Sequence, residues 1–462
     1  MTQLAESGVD ALRAALEGPV LIPGEDGYDG ARRLWNSEHE RRPAVITRVR
    51  SEADVQAAVR YAVAEGLEIA VRGGAHNMAG LSSVDGGLMI DLSLLNHVSV
   101  DAAARRARAG GGALLGDLDR ATQEHGLAVP AGVVSHTGVG GLTLGGGMGL
   151  LTRMHGLSID NLESVRIATA DGQALRAAAD ENPDLFWAVR GGGGNFGVVT
   201  EFEFRLHEVG PIVHYGLAFW GQERGAELLR AAREVIPALP REVNAMIACL
   251  NAPPAPFVPE EHQFKLGYAL IVVGFGSAEQ HAEAMEQVRQ LVPPLFEFAT
   301  PMPYAAVQQL LDEPNAWGMY HYEKGTYLEQ LSDEAIAVIT EQMPRKTSPL
   351  SVSMLYHLDQ AYLETADDAT AFSGQRTERY AMFIIATTPQ LETLDAERSW
   401  TRMFWSALQP YTIGIGSYVN GMADLDTERL RAAYGSKYER LVELKRKYDP
   451  ANVLHRNQNI KP

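Results

Sequence analysis

The apolar positions of this chain recur in two rhythms, and the dominant rhythm changes along its length. Residues 43–49 (PAVITRV) form a short apolar run that predicts a strand. Ser51 then offers a side-chain oxygen to the free N–H groups of a helix, in which Val55, Val59 and Val63 recur every four residues until Gly66. Residues 67–72 (LEIAVR) predict a second strand, and a strand–helix–strand unit of this length predicts a parallel crossover. Further strands are expected at 88–92 and 105–110, with a helix over 114–124 ended by Gly126. Asp171 and Gly172 between two alternating runs predict a hairpin turn. A helix over 184–189 and a cleanly alternating strand over 198–206 follow.

Near residue 209 long alternating runs take over: 213–220, 264–273, 351–358 and 379–386. Amphipathic stretches such as GAELLRAAREVI separate them, which predicts a sheet with helices on one face. The last stretch predicts two short helices, a stop at Asp449 and Pro450, and an Asn- and Gln-rich tail docked on the rest of the chain. No internal repeat or heptad is present.

Composition sharpens this picture in one respect. The chain of 462 residues has 45 glycines, and they crowd into 72–80, 110–112, 138–149 and 191–197. Clustered glycine lets backbone N–H groups approach a ligand closely, and this clustering points to a large phosphate-bearing one. A net charge of −18 argues against nucleic acid or an anionic membrane surface as the main partner. The single cysteine, Cys249, excludes an intrachain disulfide and a cysteine-cluster metal site. With no signal-like start and no apolar run of spanning length, a soluble protein of a reducing, cytoplasmic compartment is expected.

Gly192, Gly194 and Gly197 satisfy GxGxxG, but a helix precedes them and a strand follows, the reverse of a dinucleotide fingerprint. GxxxxGK[ST], HExxH and GxSxG are all absent, and no metal site is predicted. What remains is a strand end carrying Arg-Gly-Gly-Ala-His and two glycine loops that together could wrap a flavin. These residues are specific. VRGGAHNMAG, PAGVVSHTGVGGLTLGGGMGLLTRMHGLSIDNL, LFWAVRGGGGNFGVVTEFEF and YDPANVLHRNQNIKP, in this order and spacing, resemble the berberine-bridge-enzyme-like branch of the vanillyl-alcohol-oxidase flavoproteins, notably its bacterial members with one flavin linkage.

The resemblance implies an α+β fold: a PCMH-type, two-subdomain FAD-binding domain over 1–208, an inserted substrate domain over 209–410 built on an antiparallel sheet with helices on one face, and a segment over 411–462 returning to the FAD domain. It implies FAD attached covalently at a single point, the imidazole of His76. Ala75 stands where a glycine is common, a difference of one methyl. Many relatives add a second bond from a cysteine in a G-x-C-P-x-x-G loop; matching Gly132 and Gly138 to that loop puts Val134 at the cysteine position. Thr137 falls at the position that gates oxygen in relatives. Arg72, Gly73, Gly74, Asn77, Gly80, Gly132, Ser135, His136, Gly140, Gly141, Gly145, Gly146, Gly149, Gly197, Val199, Asn457 and Asn459 are expected to hold the cofactor. Tyr418 matches a tyrosine used as base by alcohol-oxidising relatives, although a free phenol titrates near 10 and its anion must be stabilised for that role. Tyr320, Tyr322, Tyr356 and His357, with His321, are expected to line the substrate pocket; no position is assigned to the glutamate base of plant-type relatives.

The expected activity is that of an FAD-dependent oxidase. Hydride leaves a small-molecule alcohol, amine or natural-product C–H, and oxygen is returned as hydrogen peroxide. The alternatives are a flavin-dependent oxygenase of secondary metabolism, an FAD-linked dehydrogenase with another acceptor, and a flavin-binding protein without turnover. The expected partners are a small-molecule substrate and oxygen; substrate identity and oligomeric state are not readable.

Overall fold

Ser51 accepts a hydrogen bond from the Asp54 N–H at 3.2 Å and so starts the helix Glu52–Ala64. Its Val55, Ala58, Val59 and Ala62 are buried, whereas Val63 is 48% exposed, so the four-residue apolar rhythm stops one step short of Gly66. The computed structural model that places these residues describes positions 6–424 and 426–462. The helix joins strands Val45–Arg48 and Ile69–Arg72. They are parallel as expected, but the later strand Leu88–Asp91 lies between them and pairs with both. All four of its residues are buried, which is why this strand takes the central place.

A second sheet is antiparallel, in the order Val98–Asp101, Arg106–Gly110, Val198–Arg205, Leu162–Ala168, Ala174–Ala178. The expected hairpin closes at Gly172, whose φ of +75° and N–H bond to Thr169 O suit a turn glycine. Phe202, Phe204, Val165 and Ile167 face a core completed by Leu185 and Trp187 from the helix Pro183–Val189 and by Tyr434, Tyr438 and Leu441 from the C-terminal helices.

The third sheet has seven antiparallel strands, ordered Phe296–Pro303, Ile212–Gly221, Leu266–Gly274, Val243–Asn251, Val352–Leu358, Arg379–Thr388, Tyr320–Leu328. Helices Gly225–Ala238, Ala278–Leu291, Asp333–Gln342 and Leu391–Leu408 cover one face, burying Trp220, Ile247, Tyr268, Met382, Trp400 and Phe404 in one cluster. The opposite face packs Tyr215, Leu217, Phe219 and Tyr327 against Leu150, Leu151, Leu157 and Tyr418 of the glycine-rich half and the C-terminal segment. The fold is therefore α+β.

Two charged contacts hold the halves together. Arg153 is buried and donates to Asp359 at 2.6 Å and to Ile236 O, and Arg376 holds Asp160 through both Nη atoms. The C-terminal tail is docked: Lys445 Nζ donates to Asp449, Asn195 O and Leu454 O, while Asn195 exchanges hydrogen bonds with Gln458 O and the Ile460 N–H. Removing one member of such a buried pair strands the other and costs about 3–5 kcal/mol.

His155 and His207 stack at 3.8 Å between ring centroids, and His207 Nε2 meets Asn161 Oδ1 at 2.6 Å. Burial pushes His155 down to about 4, helped by Arg241 and Arg205, and pushes His207 down to about 3, helped by His155 and Arg205. In the unfolded chain both return to near 6.5, so the unfolded state binds more protons between these values. The stability they confer is complete above about pH 6.5 and is lost as pH falls toward 4 and then 3. Melting temperature should therefore drop from pH 6.5 to 4. The drop should be shallower in a His155→Gln/His207→Gln double variant; an equal slope would refute the assignment.

Candidate functional site

The site grows from the end of strand Ile69–Arg72. Asp91 is fully buried and accepts from Arg72 Nη1 and from Arg48 Nε, both at 3.0 Å. Arg72 thus anchors the strand rather than facing the cavity beyond it. Residue 75 continues at φ +59°, with its carbonyl taking the Trp35 N–H. Replacing glycine by alanine here is therefore more than an added methyl: an L-residue in the left-handed region costs about 1–2 kcal/mol.

The same turn places His76. Its Nε2 lies 2.6 Å from His136 Nδ1 and its Nδ1 3.4 Å from Thr137 Oγ1. Its ring stacks on Trp35 at 4.6 Å, and Trp35 stacks in turn on His321 at 3.8 Å. Burial pushes His76 down to about 3, with His136 and His321 adding to the shift. The imidazole is thus neutral across the physiological range. One ring nitrogen then carries the proton and the other a lone pair, with His136 and Thr137 as their neighbours.

Beside it lies a cavity of about 380 Å³, lined by Gly73, Gly74, Ala75, His76, Asn77, Thr137, Gly140, Gly141, Gly197, Val199 and Asn457 from the expected set. The glycines fall into two kinds. A Cβ on Gly74 would lie 2.2 Å from Gly138 N, and one on Gly197 would strike Ile167 at 2.4 Å, so these are packing glycines. A Cβ on Gly141 or Gly194 meets nothing within 4 Å, and there the backbone opens to the cavity. Buried Arg456 Nε and Asn457 Oδ1, from two lining residues, have no hydrogen-bond partner.

Several expected cofactor residues support this wall from behind. A Cβ on Gly80 would run into the His39 ring at 2.4 Å, and one on Gly149 would reach Ala131 O at 1.8 Å. Gly132 O accepts from Gln308 Nε2, and Ser135 gives its N–H and Oγ–H to Asp312. Gly145 and Gly146 pack under Asn420 and Tyr418, and Asn459 Oδ1 is buried outside the lining. Val134 brings no sulfur, and Cys249 is buried on the helix-covered face of the third sheet.

Tyr418 Oη accepts the Gly147 N–H at 2.9 Å and an Asn420 Nδ2–H at 2.8 Å. Burial pushes the phenol up to about 12; these two N–H groups pull against that, and Glu323 adds to it. Its neighbours Val419 and Asn420 line the cavity.

Strand alternation sorts the expected substrate residues. In Tyr320–Leu328, Leu328 joins the helix-covered core, so Tyr320 and Tyr322 face the helices as well. Tyr322 Oη is held there by Asp424 and Arg402, and His357, beside Tyr380, contacts Asp359 and Glu378. These three do not line the cavity, and neither do Tyr356 and His321. Tyr356 and His321 belong to the inner face, where Tyr356 meets the Phe383 ring edge-on. The residues that sequence reasoning missed are Trp35, Glu323, Asn420, Arg456 and Gln458, all in the lining. Glu323 had a signal: it is the acid on the other parity of the same alternating run.

Among known proteins, residues 43–178 match a family model described as an FAD binding domain, and 417–461 match one described as berberine and berberine like. An FAD-linked oxidoreductase of Dictyostelium discoideum is 30% identical over 450 residues, 97% of this chain and 95% of that protein. (R)-6-hydroxynicotine oxidase of Paenarthrobacter nicotinovorans is 43% identical over 206 residues, 45% of each chain. The solved structure of 6-hydroxy-D-nicotine oxidase from Arthrobacter nicotinovorans has a TM-score of 0.86 at 28% identity, covering 97% of this chain and 98% of that one.

The packing glycines give a sharp test. Gly74→Ala drives a Cβ into backbone that cannot yield, so the variant should lose cofactor occupancy and melt lower. Gly141→Ala should keep its melting temperature while cofactor occupancy falls. Absorbance spectra and melting curves of both proteins would decide; unchanged occupancy in Gly141→Ala would remove that residue from the ligand-facing wall.

Proposed function

Because this chain belongs to the berberine and berberine-like family of FAD-linked oxidoreductases, we propose that it is an oxidase of small-molecule alcohols, amines or natural products, carrying FAD bonded through His76 alone and releasing hydrogen peroxide. The observation that carries this reading is the pairing of a neutral imidazole with a doubly hydrogen-bonded phenol, one lining the cavity and the other directly behind its wall.

The residues suit the cofactor. Open backbone at Gly141 and Gly194, with the unpartnered Arg456 Nε and Asn457 Oδ1, offers polar contacts to a ligand rich in phosphate and hydroxyl oxygens. Bound there, FAD supplies the two-electron acceptor for a substrate C–H. The neutral imidazole of His76, which keeps one ring-nitrogen lone pair, supports attachment at that residue, and Val134 in the cysteine position supports a single bond. Thr137, small and on the cavity wall, supports access for oxygen.

As the phenolate, with its own proton already released to solvent, Tyr418 would take the proton that the substrate O–H or N–H gives up. Both N–H groups on its Oη favour that anion, offsetting part of the burial that disfavours it. Asn420 is itself held by the carbonyl of Leu142 at 3.1 Å, so the donor is in place before the charge develops.

Two variants test the assignments. In wild-type protein, yellow fluorescent flavin should stay with the polypeptide through acid precipitation and a denaturing gel, and His76→Ala should release it. Flavin that washes out of the wild type would refute covalent attachment. Tyr418→Phe should keep its flavin while kcat falls about 10²–10⁴-fold, the usual contribution of a positioned proton acceptor; a smaller fall would assign the proton to another group. Peroxide formed one-for-one with product marks an oxidase, whereas oxygen from labelled O₂ found in the product would mark an oxygenase.

A further inference from the structure

Residues 309–319 join the short helix Tyr304–Val307 to strand Tyr320–Leu328, and on the way they lie against the glycine-rich half. Both ends of the segment are fixed. Val307 and Gln308 are buried, and Gln308 Nε2 donates to Gly132 O at 2.9 Å. Past the far end, buried Asn36 exchanges two hydrogen bonds with the His321 backbone, each at 3.0 Å. The middle is held differently. Among the described residues, none of 309–319 is buried or joins an apolar cluster, and Leu310 and Trp317 are 41% and 38% exposed.

Hydrogen bonds to the surroundings of His76 hold it instead. Asp312 accepts the Ser135 N–H at 2.7 Å and the Ser135 Oγ–H at 2.5 Å. Asn315 O accepts the Trp35 Nε1–H at 2.6 Å, and Met319 O accepts the Ser37 N–H at 2.9 Å. Ser135 adjoins His136 and Thr137, and Trp35 stacks on His76, so these bonds grip the two stretches that flank His76. Trp317 stands edge-on to the His76 ring, with centroids 6.3 Å apart. Gly318 follows at φ +97°, where a Cβ would meet nothing within 4 Å, so the chain can pivot there without collision. The segment lines none of the cavity; it holds residues that do.

The other walls yield less easily. Gly74 and Gly138 touch through backbone, and the C-terminal tail is tied down by the buried pair Lys445 and Asp449. Parting those stretches breaks packed core. Lifting 309–319 breaks only hydrogen bonds that water can replace, which is the character of a segment that opens locally.

We propose that residues 309–319 form a clasp, with Asp312 as its catch, that lifts to let FAD reach His76 and closes again once FAD is bound. This rests on FAD binding in that cavity and holds for any substrate the protein oxidises. Asp312 is a positioning residue, acting through Ser135.

The test uses His76→Ala, in which FAD is free to exchange, and follows its binding and release by stopped-flow flavin fluorescence. Losing the catch favours the lifted state equally in free and loaded protein. In His76→Ala/Asp312→Ala, association and release should therefore both quicken about 10-fold or more, the scale of one hydrogen bond to a carboxylate, while Kd stays nearly constant. Trp317→Ala in the same background should move both rates the same way. Asp312→Asn, which can still accept the Ser135 N–H, should move them less, and these two variants carry the test if Asp312→Ala does not fold. Faster release alone, with Kd weakened in proportion, would mark plain damage to the site and overturn the clasp. Rates indifferent to these variants would overturn it as well while leaving the cofactor reading intact; protein that binds no FAD would sink both.

Discussion

The site depends on a contact between two stretches of backbone. A Cβ on Gly74 would stand 2.2 Å from Gly138 N, and one on Gly138 would stand 2.3 Å from Gly74 N. Only where both residues lack side chains can these loops touch, and their contact brings His76 within 2.6 Å of His136. The same device recurs one layer away. Cβ atoms at Gly110, Gly111 and Gly112 would fall within 1.8–2.3 Å of the carbonyls of Leu95, Val199 and Leu92, so three consecutive glycines let this stretch pack on the backbone that follows Leu88–Asp91 and on strand Val198–Arg205. Much of the glycine excess that suggests a ligand-facing backbone therefore serves protein against protein. Gly141 and Gly194, open on the cavity side, are of the ligand-facing kind.

Local order was largely legible in the sequence because local chemistry determines it. Ser51 as a cap, the turn at Gly172 and the stop at Asp449 each need residues only a few positions apart, and each stands where the pattern places it. The motif around His76 was legible for a different reason, through its resemblance to a family. Strand order was less legible. Leu88–Asp91 comes last of its three strands yet lies between the other two, and that follows from burial on both faces rather than from succession. Phe296–Pro303, with two prolines at its end, holds an edge position, where one side needs no ladder partner.

Choosing the correct face of Tyr320–Leu328 needed information from far away. Both parities carry polar aromatic residues, so alternation alone leaves two equal readings. The tie is broken by the helix Leu391–Leu408 and by Asp424, which claim Tyr322, and by Trp35, which claims His321 from the other side. Trp35 is itself held by the carbonyl of Asn315, 280 residues along the chain. Ser135 likewise answers to Asp312, 177 residues away. No periodicity over a short window contains such pairs.

Burial drives the titratable groups around the cavity toward their neutral forms: His76 and His321 down to about 3, Glu323 up to about 8, Tyr418 up to about 12. A site assembled this way holds little fixed charge of its own, so it avoids the cost of burying unpaired ions while empty. It also means that charge appears only when a partner arrives to share it. A neutral imidazole can use its one lone pair; a carboxyl near its titration point can give up or keep its proton; a phenol already receiving two N–H bonds has its anion's partners in place. These three responses differ in sign and in atom, yet one cause produces all of them. The packing that buries these side chains is what leaves the cavity's chemistry to be completed by the molecules that bind there.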